Sequence, residues 1–243
     1  MNELTFTVVD ADRFEEIPDP AQPGARCQTC DYWERLDGAR SAAEADGQAR
    51  SQLKRSRLLA GTKVAGAYAM LAYREDAAVG YAQFGPLSIF PRAQIVRERY
   101  PKLPDSPAPW VVTCLQVIAS VGSEQHSIGV ALLGAVADEL DRRGIGAVEA
   151  YPEGVADAWL PSPGPASLYA AGGFEQVAGD GRYPVYRREL SGGAEVGWAD
   201  LLQRSQPAAD DEEWPLPLRP RASEEDLFLL PERRKRTNPF GED

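Results

Sequence analysis

Residues 110–151 read WVVTCLQVIASVGSEQHSIGVALLGAVADELDRRGIGAVEAY, and this stretch decides the fold. Residues 110–117 are rich in β-branched and other apolar side chains, the pattern of a strand covered on both faces. From Gly129 onward, Leu132, Leu133, Val136 and Leu140 recur at helical spacing, while Asp138, Glu139, Asp141, Arg142 and Arg143 take the other side. One amphipathic helix is predicted there, stopped by Gly144. Residues 145–151 form a second apolar run, closed by Pro152. Strand, helix and strand of these lengths make a βαβ unit, with a right-handed crossover and parallel strands.

Working outward, residues 4–9 alternate apolar and polar side chains up to Asp10, which can cap a short helix over residues 11–16. A proline-rich loop, residues 18–24, leads to Cys27-Gln28-Thr29-Cys30-Asp31-Tyr32-Trp33-Glu34, and residues 42–59 read as a polar, arginine-rich helix. Residues 67–73 and 78–84 flank a polar turn, Arg74-Glu75-Asp76-Ala77, as in an antiparallel hairpin. A helix over residues 92–99 opens a proline-punctuated excursion to Pro109. Residues 165–171 predict a short helix ending at Gly172-Gly173, and residues 174–177 and 184–190 a last strand pair. The expected fold is α/β with a central mixed sheet, in one domain over residues 1–190. Residues 191–243 carry 12 acidic and 7 basic residues among scattered prolines, which predicts an acidic, flexible tail.

Hydrophobic residues at 43% and charged residues at 26% are the balance of a chain that buries a core. A formal charge of -11 argues against a general affinity for nucleic acid or an anionic membrane, so no nucleic acid and no membrane is the expectation for partners. An anionic ligand would have to be held locally. The first residues lack a basic segment followed by an apolar run, and a cytoplasmic location is expected. Three cysteines, Cys27, Cys30 and Cys114, are too few for a disulfide framework and are expected to be thiols.

The chemistry points to the loop between the first parallel strand and its helix, Gly122 to Ala131. A helix N-terminus offers unpaired N–H groups and a partial positive charge, and small residues let an anion such as a pyrophosphate approach. The same pattern also describes an ordinary βαβ connection. A second element stands one strand later, Leu168-Tyr169-Ala170-Ala171-Gly172-Gly173-Phe174.

Together these segments resemble the GNAT N-acetyltransferase superfamily, in which a Gln/Arg-x-x-Gly-x-Gly/Ala loop holds the pyrophosphate of acyl-coenzyme A. A later Tyr in that family, five residues before the phenylalanine of a Gly-Phe pair, faces the coenzyme thiol; Tyr169 and Phe174 have that spacing. Gly129 and Ala131 fit Gly-x-Gly/Ala, while His126 stands where Gln or Arg is usual, with Gln125 one residue earlier. The resemblance implies a splayed sheet and an N-acetyltransferase moving acetyl from acetyl-CoA to an amine by direct attack. It implies that Leu115, Gln116 and Val117 meet the pantetheine arm and that Gln125, His126, Ser127, Ile128, Gly129, Val130 and Ala131 meet the phosphates. Tyr169 would protonate the departing thiolate, and Glu149, or failing that Glu34, would take the amine proton. Tyr32, Trp33 and Glu34 would line the acceptor.

Other readings stay open beside it. A GNAT-fold chain without tight coenzyme binding would serve as a binding or regulatory module. An unrelated α/β domain would show its two parallel strands running together without splaying. A zinc site would need Cys27, Cys30, Cys114 and His126 together, and no metal is expected. Arg233-Arg234-Lys235-Arg236 and Asn238-Pro239-Phe240 in the tail suggest at most a weak peptide partner, and a homodimer is a further expectation.

Overall fold

A computed structural model describes residues 3–20, 26–36, 47–152, 164–179 and 184–193. The chain divides into two units, Met1–Gly197 and Trp198–Asp243, and the described residues belong to the first. The acidic tail beyond residue 193 lies outside them. Seven strands form one sheet in the order β1-β2-β3-β4-β5-β7-β6. They are β1 (Leu4–Val8), β2 (Ala69–Arg74), β3 (Ala77–Pro86), β4 (Trp110–Val117), β5 (Ala147–Ala150), β6 (Glu175–Ala178) and β7 (Val185–Glu189). Only β4 and β5 pair in parallel among the described strands, and every other neighbouring pair is antiparallel. The mixed sheet is therefore the one the sequence implies.

Helices cover both faces. On one, α3 (Gln125–Arg142) and α4 (Ala166–Ala171) put Ile128, Leu132, Val136, Leu140, Leu168 and Tyr169 against Ala82, Val112, Leu115 and Val148. On the other, Leu58 of α1 (Gly47–Ala65) and Ala93 and Val96 of α2 (Pro91–Glu98) join Leu71, Tyr81, Val111 and Cys114. Alternating side chains of β4 thus feed two cores, and burial at roughly 25 cal/mol per Å² on each face holds the layers together.

Several boundaries differ from expectation. The predicted helix over residues 11–16 shrinks to a single 3-10 turn at Phe14–Glu16. Asp10 does accept from the N–H groups of Asp12 (3.1 Å) and Arg13 (3.0 Å), but Ile17 turns extended ahead of Pro18, where the helical conformation is disfavoured. The helix expected over residues 42–59 continues to Ala65, and its predicted residues 42–46 lie outside the described ones. Gly61 permits the extension, because a Cβ there would sit 2.3 Å from the ring of Tyr68, and Gly66, at φ +79, ends it. The hairpin is as read, with only Glu75 and Asp76 outside its strands.

Candidate active site

The site starts from a break between two strands. β4 and β5 pair at Trp110–Val148, Val111–Glu149 and Val112–Ala150, and the pairing stops there. β4 runs on from Thr113 to Val117 beside β3, and among the described residues none of β5, which ends at Ala150, pairs with that part of it. β4 is irregular at the same place. Gln83 pairs with Cys114 and Phe84 with Val112, so Thr113 is an extra residue, and its Oγ1 donates to the Gln83 carbonyl at 3.3 Å. A bulge bends its strand and increases its local twist. The lead into α4 forms another wall, since a Cβ at Gly164 would lie 3.4 Å from the Leu115 carbonyl oxygen.

From the end of β4, residues 118–124 lead directly into α3. The helix begins at Gln125, a full turn before the predicted start, because Ile128 extends the buried stripe of Leu132, Val136 and Leu140 backward. The expected long loop is therefore shorter, and its residues separate into two groups. Gln125 is half-buried and His126 and Ser127 are exposed on the first turn, which no side chain caps. Ile128 and Gly129 are buried beneath it. Gly129 faces α4, where an added Cβ would meet Leu168 Cδ2 at 3.0 Å, so its small size serves helix packing. Val130 and Ala131 are half-buried farther along α3. The Gln125 side chain donates back to the carbonyls of Ile118 (3.1 Å) and Val117 (3.4 Å), tying the helix start to the strand end. Leu115 is buried, and Gln116 and Val117 are half-buried at the parting strand.

Tyr169 comes from α4 and is fully buried, its ring 5.4 Å from Phe174 and 6.2 Å from Tyr186. Burial first, and the neighbouring Cys114 second, hold its phenol well above the ordinary range, so it stays protonated at neutral pH.

Glu149 corrects an expectation. It is fully buried, and its carboxylate accepts from Arg97 Nε (3.1 Å), Tyr151 Oη (2.7 Å) and Arg187 (2.8 Å). Arg97 also bonds Asp105 (2.8 Å) and the Pro104 carbonyl (2.6 Å), and Arg187 the Pro107 carbonyl (3.3 Å). Both carboxylate oxygens are thus occupied by partners of the protein itself. Its observable role is to fasten the proline excursion to β5.

Glu34 stands in a second network. Lys54 Nζ donates to Glu34 Oε2 (3.0 Å) and Gln83 Oε1 (2.9 Å), while Tyr68 Oη (3.1 Å) and Gln83 Nε2 (3.0 Å) both donate to Glu34 Oε1. Lys54 is 2% exposed and Gln83 4%, so the sheet holds a closed polar cluster beside the bulge. Tyr32 packs edge-on against Trp33 at 5.4 Å, with the Arg92 guanidinium 4.2 Å over its ring. Trp33 is buried. The indole N–H of Trp33 and the hydroxyl of Tyr81 are buried with no hydrogen-bond partner among the described residues. Sequence reading missed Lys54, Tyr68, Gln83 and Tyr81; a glutamine inside the apolar run of β3 was the one visible signal.

The mixed sheet, its order and the parallel β4–β5 pair flanked by helices match the arrangement that the sequence resemblance implies. The fold is GNAT-like. No family model matches the chain, and no curated protein does. Among solved structures it is similar to the PaiA N-acetyltransferase of Thermoplasma acidophilum in complex with coenzyme A, at 12% identity and a TM-score of 0.45, covering 77% of this chain and 99% of that one. It is similar to the ribosomal-protein-S5-alanine acetyltransferase of Vibrio fischeri, at 10% identity and 0.45, covering 77% and 93%. YncA of Salmonella typhimurium, with its cofactor acetyl-CoA, is similar at 15% identity and 0.44, covering 80% and 98%. Likenesses of this size carry no argument by themselves, and the fold stands on its own sheet. Among the described residues no three His, Cys, Asp or Glu side chains converge as a metal site, and no helix is long and apolar enough to cross a membrane.

Proposed function

We propose that this chain transfers an acetyl group from acetyl-coenzyme A to an amine of a small molecule or protein. The observation that carries the reading is the end of the parallel β4–β5 pairing at Val112 while β4 continues to Val117, beside a helix start without a side-chain cap. A strand edge opened inside a sheet offers main-chain groups to an extended ligand arm, as Leu115 to Val117 would to pantetheine. The Gln125 N–H donates to the Gly122 carbonyl, so the first turn at His126 and Ser127, with the Gln125 side chain, would meet the phosphates, which agrees with a chain too acidic to gather anions by net charge. When bound, acetyl-coenzyme A supplies an activated acetyl thioester.

The remaining roles belong to the protein. A main-chain N–H near Leu115 polarises the acetyl carbonyl, and the protonated phenol of Tyr169 supplies the proton that a departing thiolate needs. Glu34, the alternative base, would take the proton of the attacking amine through Oε2, which accepts from Lys54. Tyr32 and Trp33 line the acceptor side beside it. Incubating the full chain with acetyl-coenzyme A and a panel of amines, and following release of the free thiol, tests the reading. Thiol release that depends on an amine is expected; none above the blank with any amine in the panel counts against it.

A second reading, a binding module without transfer, draws on the inward turn of the Gln125 side chain and the complete burial of Tyr169. Saturable acetyl-coenzyme A binding that never leads to transfer would favour it.

A further inference from the structure

Two donors on the side of the sheet covered by α1 and α2 have no partner among the described residues. Trp33 is 5% exposed, and its indole N–H makes no hydrogen bond there. Arg92 stands on the first turn of α2, its Nε–H buried and equally unpaired, and no carboxylate among the described residues meets its guanidinium. The two side chains are neighbours. The Arg92 guanidinium lies 4.2 Å over the ring of Tyr32, that ring meets Trp33 edge-on at 5.4 Å, and the Arg92 main-chain N–H donates to the Trp33 carbonyl at 3.4 Å. A cation over a ring face binds through the ring electrons and leaves its N–H groups to other partners. Both residues adjoin the proposed acceptor side: Trp33 precedes Glu34, and Phe90, just before α2, stacks at 5.4 Å on Tyr68, whose hydroxyl donates to Glu34 Oε1 at 3.1 Å. Other cations nearby are already engaged. Lys54 bonds Glu34 and Gln83, and Arg35 and Arg57 each face Asp31 at 3.4 Å.

Guanidinium and indole are donors only, so whatever completes them must bring acceptor atoms, and the positive charge favours an anion. The parallel N–H groups along one edge of a guanidinium match the two oxygens of a carboxylate. We propose that the amine accepted by this chain carries a carboxylate of its own, held by Arg92 together with the indole N–H of Trp33, while its amino group is presented to Glu34. This rests on the acetyl-transfer reading above and narrows the acceptor to amino acids and related small molecules. Arg92 and Trp33 hold the substrate and leave the transfer step itself unchanged. A net charge of -11 disfavours an anionic acceptor in general, so one unpaired cation beside the site has the larger effect on which amine enters.

Matched pairs of small amines, each an amino acid and its primary amide with spacers of several lengths between the two groups, are given to the full chain with acetyl-coenzyme A, and thiol release is followed against amine concentration. For at least one spacer the acid is expected to exceed its amide in kcat/KM by about 10-fold or more, the worth of one hydrogen bond to a charged group, and mainly through KM. Arg92→Gln should bring acid and amide level, while Arg92→Lys, which keeps the charge but not the fork, should restore part of the difference. A merely structural Arg92 would shift both members of a pair alike. If the variants fail to fold, the wild-type comparison alone decides. Acid and amide turned over alike by the wild-type chain at every spacer, or a preference for the acid that survives in Arg92→Gln, overturns the proposal and leaves the transfer reading standing. No thiol release with any amine overturns both.

Discussion

Glu149 shows what a residue's place in the chain conceals. Its position on the second parallel strand was legible, but the two arginines that hold it come from α2 and β7 and could not be seen from the strand alone. Replacing Glu149 by Gln leaves two guanidiniums facing each other in a buried cluster. A loss of roughly 3–5 kcal/mol of stability in urea unfolding is expected, with turnover per folded molecule largely kept. Lost turnover with unchanged stability would return Glu149 to the role of base. Tyr169 behaves in the opposite sense. Its spacing from Phe174 was readable, and Tyr169→Phe should lower kcat while coenzyme affinity stays nearly constant, because the hydroxyl serves only the departing thiolate. Equal kcat values for the two proteins would remove the phenol from the reaction. Raised as it is by burial and by Cys114, that phenol should give no loss of activity on the alkaline side near pH 10, where a free tyrosine ionises.

At the scale of elements, the βαβ unit was legible because apolar periodicity changes from strand to helix and back within one short stretch. The start of α3 was not, since Gln125, His126 and Ser127 carry no apolar signal and the helix is fixed by Ile128 one turn later. The packing of α3 on α4 positions Tyr169, and Gly129 sets its distance. Gly129→Val forces side-chain atoms into Leu168 and should cost about 1–3 kcal/mol. Gly134→Ala, on the same helix but with nothing within 4 Å of the added methyl, should instead stabilise by about 0.4–1 kcal/mol. Thermal unfolding of both variants checks the pair, and equal effects would contradict the packing described. The Thr113 bulge was also hidden, because an extra residue in a strand leaves no mark on its composition. The end of the β4–β5 pairing is measurable: backbone amides of β4 that face away from β3 beyond Val112 should exchange with solvent faster than those between Trp110 and Val112, and slow when acetyl-coenzyme A is added.

For the whole molecule, the sequence conveyed the order of elements. Ser191 and Gly192 both bond the Asp141 carboxylate, and Leu190 N–H donates to the Gly146 carbonyl, which ties the residues after β7 to the end of α3. The bond from Ser191 and the Gly192 N–H hold Asp141 below the usual carboxylate range. A group depressed in this way adds stability above its unfolded pKa and loses it as pH falls through the folded one. The net charge of -11 fits a protein that binds an anionic ligand through a helix start and an opened strand rather than through a basic surface. That is the central claim, and calorimetric titration of the full chain with acetyl-coenzyme A, beside a nucleotide lacking the pantetheine arm, tests it most directly. Saturable binding of the coenzyme but not of the nucleotide is the predicted result, because the parted strands would hold the arm; no binding of acetyl-coenzyme A at millimolar concentration would contradict it.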